Sequence, residues 1–283
     1  MPLHDLLVSA LFGLVEGITE WLPVSSTGHM ILLGEFVSFD LSQSFYDMFL
    51  IVVQFGAILA VITLYWRTLL PLEFVASERH NGARRLAVDP DGLKLWAKII
   101  VATIPAAIVG VLWSDEIDAI FYNPWTVATA LIVFGIAFLV VERNAHRHRA
   151  TVTSLAEITY PQAIAVGLFQ LIAAVFPGTS RSGSTILGGF VLGMSRAVAA
   201  EFTFLLAVPT MLGASLLKIA DFGFAFTGAE IAVLLTGMVV AFVVSVLAIR
   251  FLLGYIKTHD FTVFGWYRIA LGLVVFAYFW LVR

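Results

Sequence analysis

Cysteine is absent from this chain of 283 residues, which excludes disulfides, thiolate metal sites and a cysteine nucleophile and leaves the compartment open. Charge is scarce: Asp, Glu, Lys and Arg make up 12% of the residues, about half the share in soluble domains. A soluble protein could not cover 60% hydrophobic residues with so few charges. Disorder is excluded too, because it needs low hydrophobicity and high charge. No basic excess exists either. The net charge is -3 and the Lys and Arg residues flank apolar stretches, so no nucleic-acid partner is expected. Residues 1–5 leave no room for the basic region of a signal peptide, and no small-residue cleavage site follows. What is abundant is apolar length, with a mean hydropathy of +0.98. This is the composition of an integral membrane protein.

A spanning helix needs about 20 mostly apolar residues. Six stretches qualify: 45–65, 95–113, 124–141, 199–218, 230–253 and 261–282. Two more, 6–36 and 161–194, are long but interrupted by polar runs containing Gly and Pro. Irregular backbone at membrane depth is tolerated only inside protein or beside water, so each reads as a re-entrant helix–loop–helix unit. The expected fold is an all-α polytopic membrane protein of six transmembrane helices plus two re-entrant units. The Trp and Tyr residues lie toward span ends and read as interfacial belts.

Loop charges set the orientation. Arg67, Arg79, Arg84 and Arg85 follow the first span, and Arg143, Arg147 and Arg149 follow the third. Between them, residues 114–123 form an expected loop holding Asp115, Glu116 and Asp118 but no Lys or Arg. The basic loops are therefore cytoplasmic and the acidic one external.

A shift of about 154 positions superposes the two interrupted stretches without a gap, setting Gly13 on Gly167, Pro23 on Pro177 and Ser26 on Ser180. Each half, 1–150 and 151–283, is then one re-entrant unit plus three spans. An odd number of spans turns the second half upside down, giving an inverted-topology repeat whose two polar runs meet near mid-membrane.

Charges inside membrane segments are costly and usually functional. Glu16 and Glu20 stand four apart on one helix face, a spacing that suits a shared metal ion or one base and one orienting group. The loop after them adds Ser25, Ser26, Thr27 and His29, the parts of an acyl- or phosphoryl-transfer site. The second run, from Pro177 to Thr185, reads as an anion site. Gly178 and small neighbours let backbone N–H groups converge, Ser180, Ser182, Ser184 and Thr185 add hydroxyls, and Arg181 offers a planar fork for phosphate oxygens. In an empty site Arg181 would pair with Glu16 or Glu20. Gln54, Asp47, Arg196 and Glu201 are outlying polar groups that either support the site or do nothing chemical.

The run from Glu16 to His29 (EGITEWLPVSSTGH) and the run from Pro177 to Thr185 (PGTSRSGST) resemble the two signature motifs of the bacterial undecaprenyl-diphosphate phosphatases, the bacitracin-resistance (BacA, or UppP) family. The resemblance extends over nearly the whole chain, including Glu201 to Pro209. It implies removal of the terminal phosphate of undecaprenyl diphosphate in the bacterial inner membrane, with the site toward the periplasm. It further implies recycling of the peptidoglycan lipid carrier, bacitracin resistance and a divalent cation, magnesium or calcium. By the same resemblance Glu16 and Glu20 serve the metal, Glu20, Ser26, His29 and Arg181 the chemistry, and Ser25, Thr27, Gly178, Ser180, Ser182 and Thr185 the substrate. The partners are then the polyprenyl diphosphate and membrane lipid; a homodimer is compatible with the sequence, which does not fix the oligomeric state.

The residues leave two choices open at this stage. Ser26 would attack or orient a water, with His29 or Glu20 taking the proton, and Ser26 does not outrank His29 as covalent nucleophile. A transporter or lipid flippase is the rival function, since inverted repeats serve transport as well. The lipid phosphatases with a Ser-Gly-His motif fit less well, because no second His follows Arg181 until His259.

Overall fold

A computed structural model describes residues 3–76, 84–145 and 150–282. The chain opens with a hairpin of helices, α1 (Leu3–Thr19) and α2 (Ser26–Phe36). Helices α3 (Gln43–Val52) and α4 (Gln54–Leu64) follow as one span with a break at Val53, then the single turn α5 (Trp66–Leu69). Strands β1 (Leu72–Ala76) and β2 (Arg84–Val88) pair antiparallel, Leu72 opposite Val88, a small departure from the all-α expectation confined to the connecting segment. The long helices α6 (Pro90–Phe121) and α7 (Pro124–Ala145) come next. The second hairpin is α8 (Tyr160–Val175) and α9 (Arg181–Val191), followed by α10 (Arg196–Phe222), α11 (Gly228–Tyr255) and α12 (Thr262–Val282).

Six of these helices are long and apolar enough to cross a membrane, and they coincide with the six expected spans. The protein is a multi-pass, all-α membrane protein. Side chains such as Val111, Val239, Leu247 and Trp280 are exposed on its outside, as lipid-facing positions must be. Local sequence sets the helix ends. Thr159 with Gln162 and Thr227 with Glu230 form capping boxes ahead of α8 and α11, and Pro90 and Pro161 occupy first-turn positions that lack a bonded N–H anyway. Before α8, Glu157 accepts the Thr153 backbone N–H, which holds its carboxyl below the usual carboxylate range.

The structure corrects one element. The expected external loop 114–123 is mostly helix, because α6 runs on through Asp115, Glu116 and Asp118 after a kink at Trp113 (φ -137°, ψ 18°). Its charged face is exposed there, so nothing forces the chain to unwind at the membrane edge. Arg79, Arg147 and Arg149, which carry part of the orientation argument, lie outside the described residues.

Two close approaches hold the hairpins in place. In α1, Gly13 meets the Gly237 carbonyl of α11 so closely that a Cβ would collide with it. In α8, Gly167 meets the Ala102 carbonyl of α6 in the same way. The packing is reciprocal: α1 lies on α11, α8 on α6, and α7 on α12. Exchanging the first half of the chain for the second exchanges these contacts. The loops that close the two hairpins are thereby brought against each other in the interior.

Candidate active site

The last turns of α1 deliver the two carboxylates. Glu20 lies one residue past the helix, but its N–H still bonds the Glu16 carbonyl at 3.0 Å, so the pair keeps a common face. Both side chains are buried. The chain then turns through Trp21, which is fully buried edge-on against Phe204, and restarts as α2 at Ser26 with Ser25 as its cap. Ser25 (φ 75°) and Ser180 (φ 71°) are the non-glycine residues with positive φ among those described. Each caps the helix that follows, accepting the N–H of Gly28 or Gly183. Backbone strain of this kind persists only where surrounding contacts enforce it, and it concentrates at functional sites.

In cap geometry it is Ser25, and not Ser26, that matches Ser180. Ahead of the second cap, Gly178 stands at φ +92°, where a Cβ would also stand 2.5 Å from the Val127 carbonyl oxygen. Only glycine meets both conditions.

A continuous polar chain links the hairpins. Ser26 Oγ donates to Glu20 Oε2 at 2.7 Å, and Arg181 Nη2 donates to Glu20 Oε1 at 2.8 Å. Arg181 also donates through Nη1 to the Thr203 carbonyl at 3.1 Å and lies over the Trp21 ring at 5.9 Å. Glu16 Oε1 is buried with no hydrogen-bond partner in the protein. An orphan carboxylate oxygen beside a second carboxylate is the donor chemistry that a hard divalent cation takes, with substrate oxygens completing its shell. The residues therefore fit a metal as a pair. The one cluster of three such donors among the described residues, His4, Asp5 and Asp40, lies at the opposite end of α1.

His29 lies beside this chain of bonds and is not a member of it. Its Nδ1 lies 2.7 Å from the Ser25 carbonyl oxygen and its Nε2 2.7 Å from the Tyr267 hydroxyl. The expected hydroxyls of the two runs divide by burial. Thr27 and the cap Ser180 are half-buried, whereas Ser182, Ser184 and Thr185 are buried and bonded within the protein. Ser182 reaches the Leu22 carbonyl, Ser184 the Phe169 carbonyl and Thr185 the Arg181 carbonyl. Among the outlying groups, Arg196 pairs with Glu142, exposed Asp47 accepts from Gln43, and Glu201 is half-buried in α10. A surface cleft of about 400 Å³ beside Glu142, Arg143 and Asp260 contains none of the site residues.

One residue of the junction went unnoticed in the sequence. Arg268 on α12 is fully buried and donates to carbonyls of both loops, Pro23 at 3.3 Å, Gly178 at 3.0 Å and Thr179 at 2.6 Å. Gly183 leaves it room, since a Cβ there would stand 2.8 Å from Arg268 Nη1. The signal was present: an arginine inside an apolar span is as anomalous as Glu16 or Glu20.

Comparison with known proteins bears on the same residues. The family profile described as "Bacitracin resistance protein BacA" matches residues 9–274. The chain is 55% identical over 279 residues to the "Undecaprenyl-diphosphatase" of Desulfitobacterium hafniense, covering 99% of this chain and 98% of that one. It is 53% identical over 280 residues to the "Undecaprenyl-diphosphatase 1" of Clostridium acetobutylicum, covering 99% of each. With the "Undecaprenyl-diphosphatase" of Enterococcus faecalis it shares 49% identity over 271 residues and 96% of each chain. A match from α1 to α12 takes in both hairpin loops and Arg268, and the chain belongs to the bacitracin resistance protein BacA family.

Proposed function

We propose that this protein hydrolyses undecaprenyl diphosphate to undecaprenyl phosphate and inorganic phosphate, recycling the lipid carrier of peptidoglycan synthesis and conferring bacitracin resistance. The observation that carries the reading is the Arg181–Glu20–Ser26 chain, which joins a cation, a base and a hydroxyl across the two hairpins. The relatives named above are diphosphatases by name, and none of them is described as a transporter.

The chemistry follows from exchange of partners. A diphosphate entering the junction draws the planar fork of Arg181 onto its oxygens. Glu20 thereby loses its ion-pair partner and is placed to take the proton of the Ser26 hydroxyl, 2.7 Å away. Ser26 Oγ bonds to the terminal phosphorus, the bond from that phosphorus to the bridging oxygen breaks, and undecaprenyl phosphate leaves with that oxygen. The serine proton rests on Glu20. A water then attacks the phosphoserine; Oγ leaves and recovers the proton from Glu20, while His29, three residues on from Ser26 along α2, takes the water's proton. Glu16 and Glu20 would hold a magnesium or calcium ion, which supplies further neutralisation of phosphate charge. Ser25, Thr27, Gly178 and Ser180 bound the space for the headgroup, and Ser182 and Thr185 hold the loop behind it.

The halves 1–150 and 151–283 are inverted repeats with re-entrant hairpins in a bacterial inner membrane. Their exchanged packing and matched serine caps support this. The site faces the periplasm. In α2 only Gly28 and Met30 are buried, whereas Ser182 to Gly189 of α9 are all buried, so the accessible side follows α2 toward the acidic, external ends.

Purified protein in detergent, where no compartments exist, should release phosphate from undecaprenyl diphosphate. Arg181→Lys keeps the charge, loses the bidentate fork and should slow release by about 100-fold. Near-full activity in that variant would remove Arg181 from the phosphate site.

A further inference from the structure

Tyr267 lies beside Arg268 on α12, six positions inside the expected sixth span, where it read as a belt aromatic. Nothing in the chemistry above uses it. Its hydroxyl nevertheless lies 2.7 Å from His29 Nε2, and its ring stacks on the imidazole with centroids 5.6 Å apart and planes 8° from parallel.

The other nitrogen fixes the direction of this bond. The Ser25 carbonyl can only accept, so Nδ1, at 2.7 Å, carries the proton. In the neutral ring Nε2 is then the acceptor, and the Tyr267 hydroxyl donates to it. Two elements thus define His29 completely. The strained cap at Ser25 selects the tautomer, while Tyr267 of α12 sets the ring plane and occupies the basic lone pair in the resting site, at a position where the tyrosine is 45% exposed and a water can replace its hydroxyl. The same helix places Arg268 on the carbonyls of both loops, so the tyrosine and the loops are held in one register.

We propose that Tyr267 is a positioning residue of the diphosphatase reaction, holding His29 in one tautomer and one orientation so that Nε2 can take the proton of the water that cleaves the phosphoserine. In that step Nε2 exchanges the tyrosine hydroxyl for the water proton, and Tyr267 keeps its own proton throughout. The proposal rests on the diphosphatase reading and goes beyond it. A tyrosine that merely satisfied its hydroxyl in the membrane would leave the reaction indifferent to its loss.

Tyr267→Phe keeps the stacked ring and removes only the donor. The full-length variant and parent, purified in detergent, are compared by nitrogen NMR of labelled histidine and by steady-state phosphate release from undecaprenyl diphosphate. The His29 Nε2 resonance should move toward that of an unbonded imidazole nitrogen while Nδ1 stays protonated. In parallel, kcat should fall about tenfold with KM within twofold, the loss expected when a base keeps its tautomer but is no longer held in one orientation for the incoming water. Tyr267→Ala, which also removes the stack, should lose more. An unshifted Nε2 resonance, or an unchanged kcat beside a shifted one, would overturn the proposal. Absence of phosphate release from the parent itself would strike the diphosphatase reading instead, and the resonance comparison, which needs no turnover, keeps the two failures apart.

Discussion

Arg268 bears a guanidinium in the interior of a membrane protein with three backbone carbonyls as its partners. Burying a cation is costly unless hydrogen bonds replace its water, and here the replacement comes from both loops at once. Arg268→Met should therefore damage the junction. We expect a stability loss on the order of 3 kcal/mol, in line with losing charge-assisted bonds to buried acceptors, read as a lower melting temperature of the purified protein. Activity should fall with it, and an unchanged melting temperature would show that the carbonyls find other partners. The sequence disclosed most residues of this scale by one rule, that charge does not belong in apolar runs. Glu16, Glu20 and Arg181 stood out that way. Arg268 obeyed the same rule but sat in a span with no motif around it. Tyr267 could not be found so, since its role is defined by a hydroxyl 238 positions from its partner in the chain.

At the scale of elements, apolar length located all six spans because the bilayer sets a minimum that only long helices meet. What it could not locate were features decided by local backbone. The kink at Trp113 and the helical run beyond it depend on solvent-exposed residues whose pattern carries no membrane signal. The break at Val53, between α3 and α4, falls inside a span that apolar length alone reads as continuous, with Gln54 the polar residue beside it. The cap of the first hairpin loop was hidden because serines are adjacent at Ser25 and Ser26, and either can be matched to Ser180. Cap geometry distinguishes them: positive φ and the bond from the third amide along identify Ser25. That assignment frees Ser26 for Glu20 and makes its neighbour a structural cap.

For the whole molecule, orientation and site access are one question. Because the chain has no cysteine, single cysteines report without background. Asp118→Cys at the end of α6 should react with a membrane-impermeant maleimide added to intact cells, and Lys257→Cys between α11 and α12 should react only after permeabilisation. The reverse pattern would invert the orientation and turn α2 toward the cytoplasm. The central claim is narrower: the Arg181–Glu20–Ser26 junction is where the phosphoanhydride is cleaved. Rapid quench of the purified protein with undecaprenyl diphosphate labelled in its terminal phosphate, followed by peptide mapping, tests it most directly. The account predicts transient label on Ser26 that vanishes in Ser26→Ala and falls sharply in Glu20→Gln. Label on another residue, or phosphate release at full rate with no labelled protein at any time, would contradict it.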